Sequence, residues 1–192
     1  MSRLDLVVGP NGAGKSTFVR EILARQMPGV HFVNADVIAA ERWSEDPANH
    51  AYEAAAVAEA TRAVLIAGRE PFVAETVFSH PSKIALVSEA KAAGYYVAMH
   101  VLMVPEELAV ARVERRVASG GHDVPEDKIR ARYCRLWANV AEAADMVDAT
   151  TFWDNSNLHG PVLVAELGSG VILGQPRWPA WTPAVFVDRW RR

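Results

Sequence analysis

The chain has 192 residues, 51% of them hydrophobic and 22% charged, the balance of a folded globular protein rather than a disordered one. A formal charge of -3 argues against a generic binder of nucleic acid or of an anionic membrane. The lone Cys134 excludes an intramolecular disulfide framework and a cysteine-built metal cage; packing in a reducing compartment is its expected role.

An apolar pattern at residues 4–8 reads as a buried strand, and Gly9, Pro10, Asn11, Gly12, Ala13, Gly14, Lys15, Ser16 and Thr17 follow it directly. This run satisfies G-x-x-x-x-G-K-[ST], the phosphate-binding P-loop. Glycines let backbone N–H groups close around phosphate oxygens, and the next helix offers its positive N-terminal end. Lys15 then reaches the β- and γ-phosphates of ATP as a point charge, and the Ser16 hydroxyl completes the coordination of Mg²⁺. Thr17 stands where a dinucleotide fingerprint requires its last glycine, which sets that alternative aside. With a strand so near the N-terminus there is no room for a cleavable signal, and the apolar runs fall short of the roughly 20 residues a membrane helix needs. A cytoplasmic protein is expected.

A helix over 15–26 is ended by Pro28-Gly29, and 31–34 gives a short second strand. A helix from Ala35 to about Trp43 follows, then a polar break at 44–49 and an alanine-rich helix over 51–67 closed by Gly68. Residues 71–76 read as a third strand ending in Glu75-Thr76, 81–93 as a helix closed by Gly94, and 95–103 as a strand of nearly continuous apolar character. The alternation predicts an α/β fold with a mostly parallel central sheet, and with the P-loop a three-layer P-loop NTPase is expected.

Pro105-Glu106-Glu107 opens a helix with Val110, Val113 and Val117 on one face, which turns Arg112 and Arg116 elsewhere. Gly120-Gly121 breaks it before His122-Asp123-Val124, and Pro125 starts a second helix. There Ile129, Tyr133, Leu136 and Val140 recur at helical spacing, leaving Arg130, Arg132 and Arg135 on the remaining surface. The region of about 105–135 thus reads as an arginine-bearing helical lid. Residues 150–153 are expected as the last parallel strand, and 162–166 with 171–173 as a small hairpin. The tail, 175–192, is rich in proline and tryptophan and receives no structure. All of 1–192 is expected to form a single domain.

Phosphoryl transfer to an alcohol needs a carboxylate near the acceptor hydroxyl, groups that hold the acceptor, and cations that neutralise the charge as it spreads. Asp36, just past the second strand, lies on the carboxyl edge where an open parallel sheet binds ligands. It reads as a general base or orienting group, or as the N-cap of the following helix. Glu75 and Thr76 end the third strand on the same edge, as acceptor ligands or as a solvated strand end. Arg112 and Arg116 belong either to the closing lid or to a solvated face paired with glutamates. The histidines show no metal-ligand spacing.

Together these segments resemble the zeta toxin group of P-loop kinases. The resemblance rests on the P-loop, Asn34-Ala35-Asp36-Val37-Ile38, Glu75-Thr76, the arginine helix leading into Gly120-Gly121-His122-Asp123-Val124-Pro125, and Asp154-Asn155-Ser156. It implies an ATP-dependent kinase acting on a hydroxyl of a UDP-N-acetylamino sugar such as UDP-N-acetylglucosamine. Asp36 is then the catalytic base, Glu75 and Thr76 bind the acceptor, and Arg112 or Arg116 is the lid arginine. Where well-known members carry a second lid arginine this chain has His122, with Arg130 or Arg132 as candidate substitutes one turn on. An antitoxin partner is a family feature that the chain itself does not encode. The competing expectations are a kinase for a nucleoside, nucleotide or antibiotic, and an ATP-binding switch that acts through a partner.

Overall fold

The computed structural model describes residues 2–119 and 124–191. A seven-stranded sheet runs β2-β3-β1-β4-β5-β6-β7, where β1 is Arg3–Val8, β2 His31–Val33, β3 Phe72–Thr76, β4 Tyr96–Met103, β5 Ala149–Asp154, β6 Val162–Gly168 and β7 Val171–Leu173. The first five in that order are parallel, and β6 and β7 add antiparallel. In the central β1, Leu4, Leu6 and Val8 join one apolar cluster while Val7 joins another, so both faces of the strand are buried. That double burial is what makes its sequence continuously apolar rather than alternating.

Helices cover both faces and complete the three layers. Lys15–Phe18 (α1), a π-helical turn at Val19–Leu23 and Ala24–Gln26 (α2) pack on one face through Phe18, Val19 and Leu23. The helix expected over 15–26 is therefore present as one unbroken helical segment with a π-helical turn inside it. A turn closed five residues on, with Ala24 N–H donating to Val19 O, stacks Phe18 and Leu23 toward the sheet. Ala35–Arg42 (α3) leads to Ala51–Gly68 (α4), which with Ser82–Ala92 (α5) and Glu126–Ala144 (α7) contributes to the cluster on the other face. Glu106–Ala118 (α6) presses Ala109 against the α1 side. Val110 and Val113 of α6 meet Val124 and Ile129 in a small separate cluster, so the arginine helices have an apolar seam of their own. Cys134, expected to pack, is instead exposed on α7.

The predicted hairpin forms, but it extends the main sheet instead of standing apart. Thr151 pairs with Glu166, and the turn uses Ser169 and Gly170, both at positive φ (47° and 78°). The tail also acquires structure, ending in Ala184–Arg189 (α8). Phe186, fully buried, lies 4.9 Å from Phe152 of β5 between ring centroids, and Trp178 and Trp190 close around the same ring at 5.2 and 5.5 Å. A non-periodic Trp/Pro segment thus becomes core because its aromatics fill the space beside β5.

Candidate functional site

Adjacent strands β1 and β3 send their connections to opposite faces: β1 crosses β3 to reach β2, and β3 crosses β1 to reach β4. A crevice opens at such a switch point, beyond the carboxyl ends of the strands. Here it is a cleft of about 770 Å³, within the range of small-molecule sites.

Asn11, Gly12, Gly14, Lys15, Ser16 and Thr17 line its floor, with Gly9, Pro10 and Ala13 behind them. Gly12 and Gly14 adopt φ of 75° and 87°, and a Cβ on them would fall 2.5 Å from Ala109 O and 2.6 Å from the Asn155 side-chain nitrogen. The loop is thus pressed between α6 and the end of β5 in a shape only glycine permits. Asn155 braces it further by donating from Nδ2 to Ala13 O at 2.8 Å. Lys15, at 8% exposure, donates to Pro10 O at 3.0 Å and lies 4.0 Å from Glu75 Oε1. Burial holds the ammonium below its ordinary pKa, against the opposing pull of Glu75 and Asp36; Arg116 and Arg132 push it the same way as burial. A buried lysine surrounded by further cations is a site short of negative charge. The side-chain oxygen of Asn11 is also buried without a partner among the described residues. Left-handed glycines and a buried ammonium with donors to spare fit a bound polyphosphate.

Glu75 links the floor to the neighbouring wall. Its Oε1 accepts from Ser16 Oγ at 3.0 Å and its Oε2 from Asn34 Nδ2 at 2.7 Å. Asn34 Oδ1 in turn accepts from Asp36 N at 2.7 Å and from Val37 N at 3.4 Å, making Asn34 the N-cap of α3. The capping role considered for Asp36 therefore falls to Asn34. Asp36 stands in the first turn, faces the cleft, and makes no side-chain hydrogen bond with a described residue. Glu75 meets the P-loop serine, so a Ser16–Glu75 pair is the candidate Mg²⁺ position. Two oxygen donors match an ion that keeps most of its waters. Thr76 Oγ1 accepts from Phe78 N at 3.2 Å, and Phe78 sits at φ 67°, unusual for a bulky residue, with its carbonyl held by Asn139 Nδ2 at 3.0 Å.

The helices supply the cations. Arg112 Nη1 reaches Gly12 O at 3.5 Å, with burial lowering its guanidinium pKa; Arg116 and Arg132 also line the cleft. Arg130 does not. It pairs with Glu107 at 2.6 Å, Glu126 at 2.8 Å and Glu106 at 3.2 Å, tying the start of α7 to the start of α6, and the first of these bonds does most to raise its pKa. His122 lies outside the described residues. Sequence reasoning gave Asn34 and Asn155 no role and missed Arg62 and Lys83, which line the cleft from α4 and α5. For Asn34 the available signal was a strong N-cap residue before a helix.

Similar proteins include one sequence relative and several solved structures. An uncharacterized protein of Haemophilus influenzae is 31% identical over 127 residues, 65% of this chain and 88% of that one. The crystal structure of AvrRxo1-ORF1:-ORF2 with ATP is similar at a TM-score of 0.72 and 17% identity over 90% of this chain, which spans 60% of that one's length. The PezAT chromosomal toxin-antitoxin system of Streptococcus pneumoniae follows at 0.63 and 13%, covering 84% of this chain and 70% of that one. A gluconokinase from Sinorhizobium meliloti gives 0.51 and 20%, covering 80% and 82%. At these identities the solved structures speak for the fold. The AAA domain family AAA_33 matches residues 4–136, more than half of the sequence, and the chain belongs to that family of P-loop proteins.

Proposed function

We propose that the protein is an ATP-dependent phosphotransferase that phosphorylates a hydroxyl of a small metabolite. One observation carries this reading: a single cleft holds the buried Lys15 of the P-loop, the carboxylate of Asp36, which bonds to no described residue, and the arginines of α6 and α7. A nucleotide switch also needs the first of these; with Ser16–Glu75 as the metal pair, the Asp36 carboxylate is left for an acceptor hydroxyl. The ATP in one similar structure and the sugar-acid kinase activity named in another support the same reading.

In the mechanism, Lys15 and the backbone of residues 9–17 hold the polyphosphate of ATP with its terminal group toward Asp36. Mg²⁺, when bound, supplies charge neutralisation between phosphate oxygens; Ser16 and Glu75 are the residues that would hold it. Asp36 accepts the proton of the acceptor hydroxyl or orients that hydroxyl for attack. Glu75 thereby shifts from the acceptor role expected of it toward the metal side, while Thr76 stays with the acceptor wall. Arg112, Arg116 and Arg132 offset charge on the transferring group. Arg130, clasped by its three glutamates, is left out.

The α6–α7 region acts as a lid whose closure excludes water and so suppresses ATP hydrolysis. The acceptor proposed from the resemblance to zeta toxins is a UDP-N-acetylamino sugar. A protein partner of the antitoxin kind is proposed on the strength of the toxin-antitoxin system named above. The test is incubation of labelled ATP with a metabolite extract and identification of the product by mass. Label transferred to a hydroxylated metabolite supports the reading; ATP hydrolysis that no acceptor stimulates, coupled to a partner that binds one nucleotide state, would replace it with a switch.

A further inference from the structure

The cleft does not end at Asp36. It continues along α4, where Ala51, Ala55, Ala58 and Arg62 share a face and line it. From Ala51 to Arg62 that face runs about 16 Å along the helix axis. The alanines leave room, and the run ends on a guanidinium. Arg62 is 7% exposed and makes neither a hydrogen bond nor an ion pair with any described residue.

Lys83 and His80 line the same end from the start of α5 and the loop before it. Lys83 makes no side-chain bond to a described residue. His80 Nδ1 accepts from Ser82 N at 3.2 Å, which leaves the other ring nitrogen to carry the donor proton. The carboxylates that act on this end are Glu59 and Glu89. Both are exposed and neither lines the cleft, so they do not neutralise its interior. Burial lowers the pKa of Arg62 and of Lys83, and Arg62 lowers Lys83 further. The groups acting on Lys15 are a different set, Glu75, Asp36, Arg116 and Arg132. The cleft therefore has two electropositive ends.

A buried arginine without a hydrogen-bond or ion-pair partner among the described residues costs stability, a cost that an anion seated against it would offset. We propose that Arg62, with Lys83 and His80 at the rim, is an anion subsite that seats a carboxylate or phosphate carried by the acceptor, away from the hydroxyl that is phosphorylated. The proposal rests on the phosphotransferase reading and narrows its substrates to hydroxylated molecules that are already anionic. A guanidinium at the end of an alanine-lined trough takes either anion in bidentate fashion.

The test separates this inference from the reading beneath it. Wild type and Arg62→Met are loaded with a non-hydrolysable ATP analogue and Mg²⁺, so that the P-loop is filled, and titrated calorimetrically with inorganic phosphate and, separately, with acetate. The expected result is saturable binding of one anion to wild type, weakened by about 10- to 100-fold in Arg62→Met; which anion binds tells phosphate from carboxylate. The Tm of ligand-free Arg62→Met is expected to rise by about 2–4 °C as the unpaired charge leaves the interior. Equal anion binding by both proteins, no saturable binding of either anion, or a Tm that falls overturns the subsite. If wild type does not bind the analogue at all, the phosphotransferase reading fails instead. Lys83→Met, at a half-buried position, is the second variant and is expected to weaken the same anion.

Discussion

Among the residues of the cleft, Asp36 is singled out by what it lacks. Asn34 takes over the capping, Glu75 takes the bonds of Ser16 and Asn34, and the Asp36 carboxylate is left facing the cleft. Asp36→Asn keeps the shape and removes the base, so transfer is expected to slow by about 10² to 10⁴ with nucleotide affinity preserved. Single-turnover transfer and equilibrium nucleotide binding, measured side by side, check this. An unchanged transfer rate would remove Asp36 from the mechanism. The P-loop was legible in the sequence because close approach and left-handed φ restrict residue type at fixed spacing. Asp36 was legible by its place after a strand. The supports were not: Asn155 is brought to Ala13 across most of the chain, and Glu75 of β3 to Ser16 of α1, contacts that no local pattern encodes.

At the scale of elements, α6 and α7 form a unit with their own apolar seam, joined at their N-terminal ends by Arg130. Periodicity placed Arg130 and Arg132 alike on the polar surface of one helix. Three carboxylates, two of them on the other helix, decide between them. Arg132→Ala is expected to lower kcat/KM by about 10² to 10³, the usual cost of one charge-stabilising donor, and Arg130→Ala by less than about tenfold. Steady-state kinetics of the two variants in parallel is the check, and the reverse order would return Arg130 to the site. The later part of α7 is anchored in the main cluster through Leu136, Trp137 and Val140, so a closing motion of this unit is expected in the part held by the small seam of Val110, Val113, Val124 and Ile129.

For the molecule as a whole, the sequence pattern gave the parallel sheet, since strands buried on both faces are written as continuous apolar runs. It gave no structure to the tail, whose tryptophans and prolines follow no period. Phe186 seals the ring cluster around Phe152, and Phe186→Ala is expected to cost about 3–5 kcal/mol in urea unfolding. A cost near zero would mean that the tail is not part of the folded core. Beneath α1, Asp5 is nearly inaccessible; its carboxylate accepts from Arg3 at 2.7 Å and meets His100 Nε2 at 3.0 Å. Burial opposes the charge, yet the bonds to Arg3 and His100 prevail and hold the carboxyl below the usual aspartate range. A pKa depressed by folding contributes stability that is complete above the unfolded value of about 4 and is lost as pH falls through the folded one. Unfolding free energy measured against pH is therefore expected to drop below about pH 4, less steeply in Asp5→Asn than in wild type.

Lys15 and Asp36 line one cleft and are proposed as the two sides of a phosphoryl-transfer site. The most direct measurement is transfer of labelled phosphate from ATP to metabolites in extract by wild type and by Lys15→Ala, with the product identified by mass. The expected result is a phosphorylated hydroxyl compound with wild type and none with Lys15→Ala; the same product at the same rate from both proteins would contradict a role for the P-loop lysine in transfer.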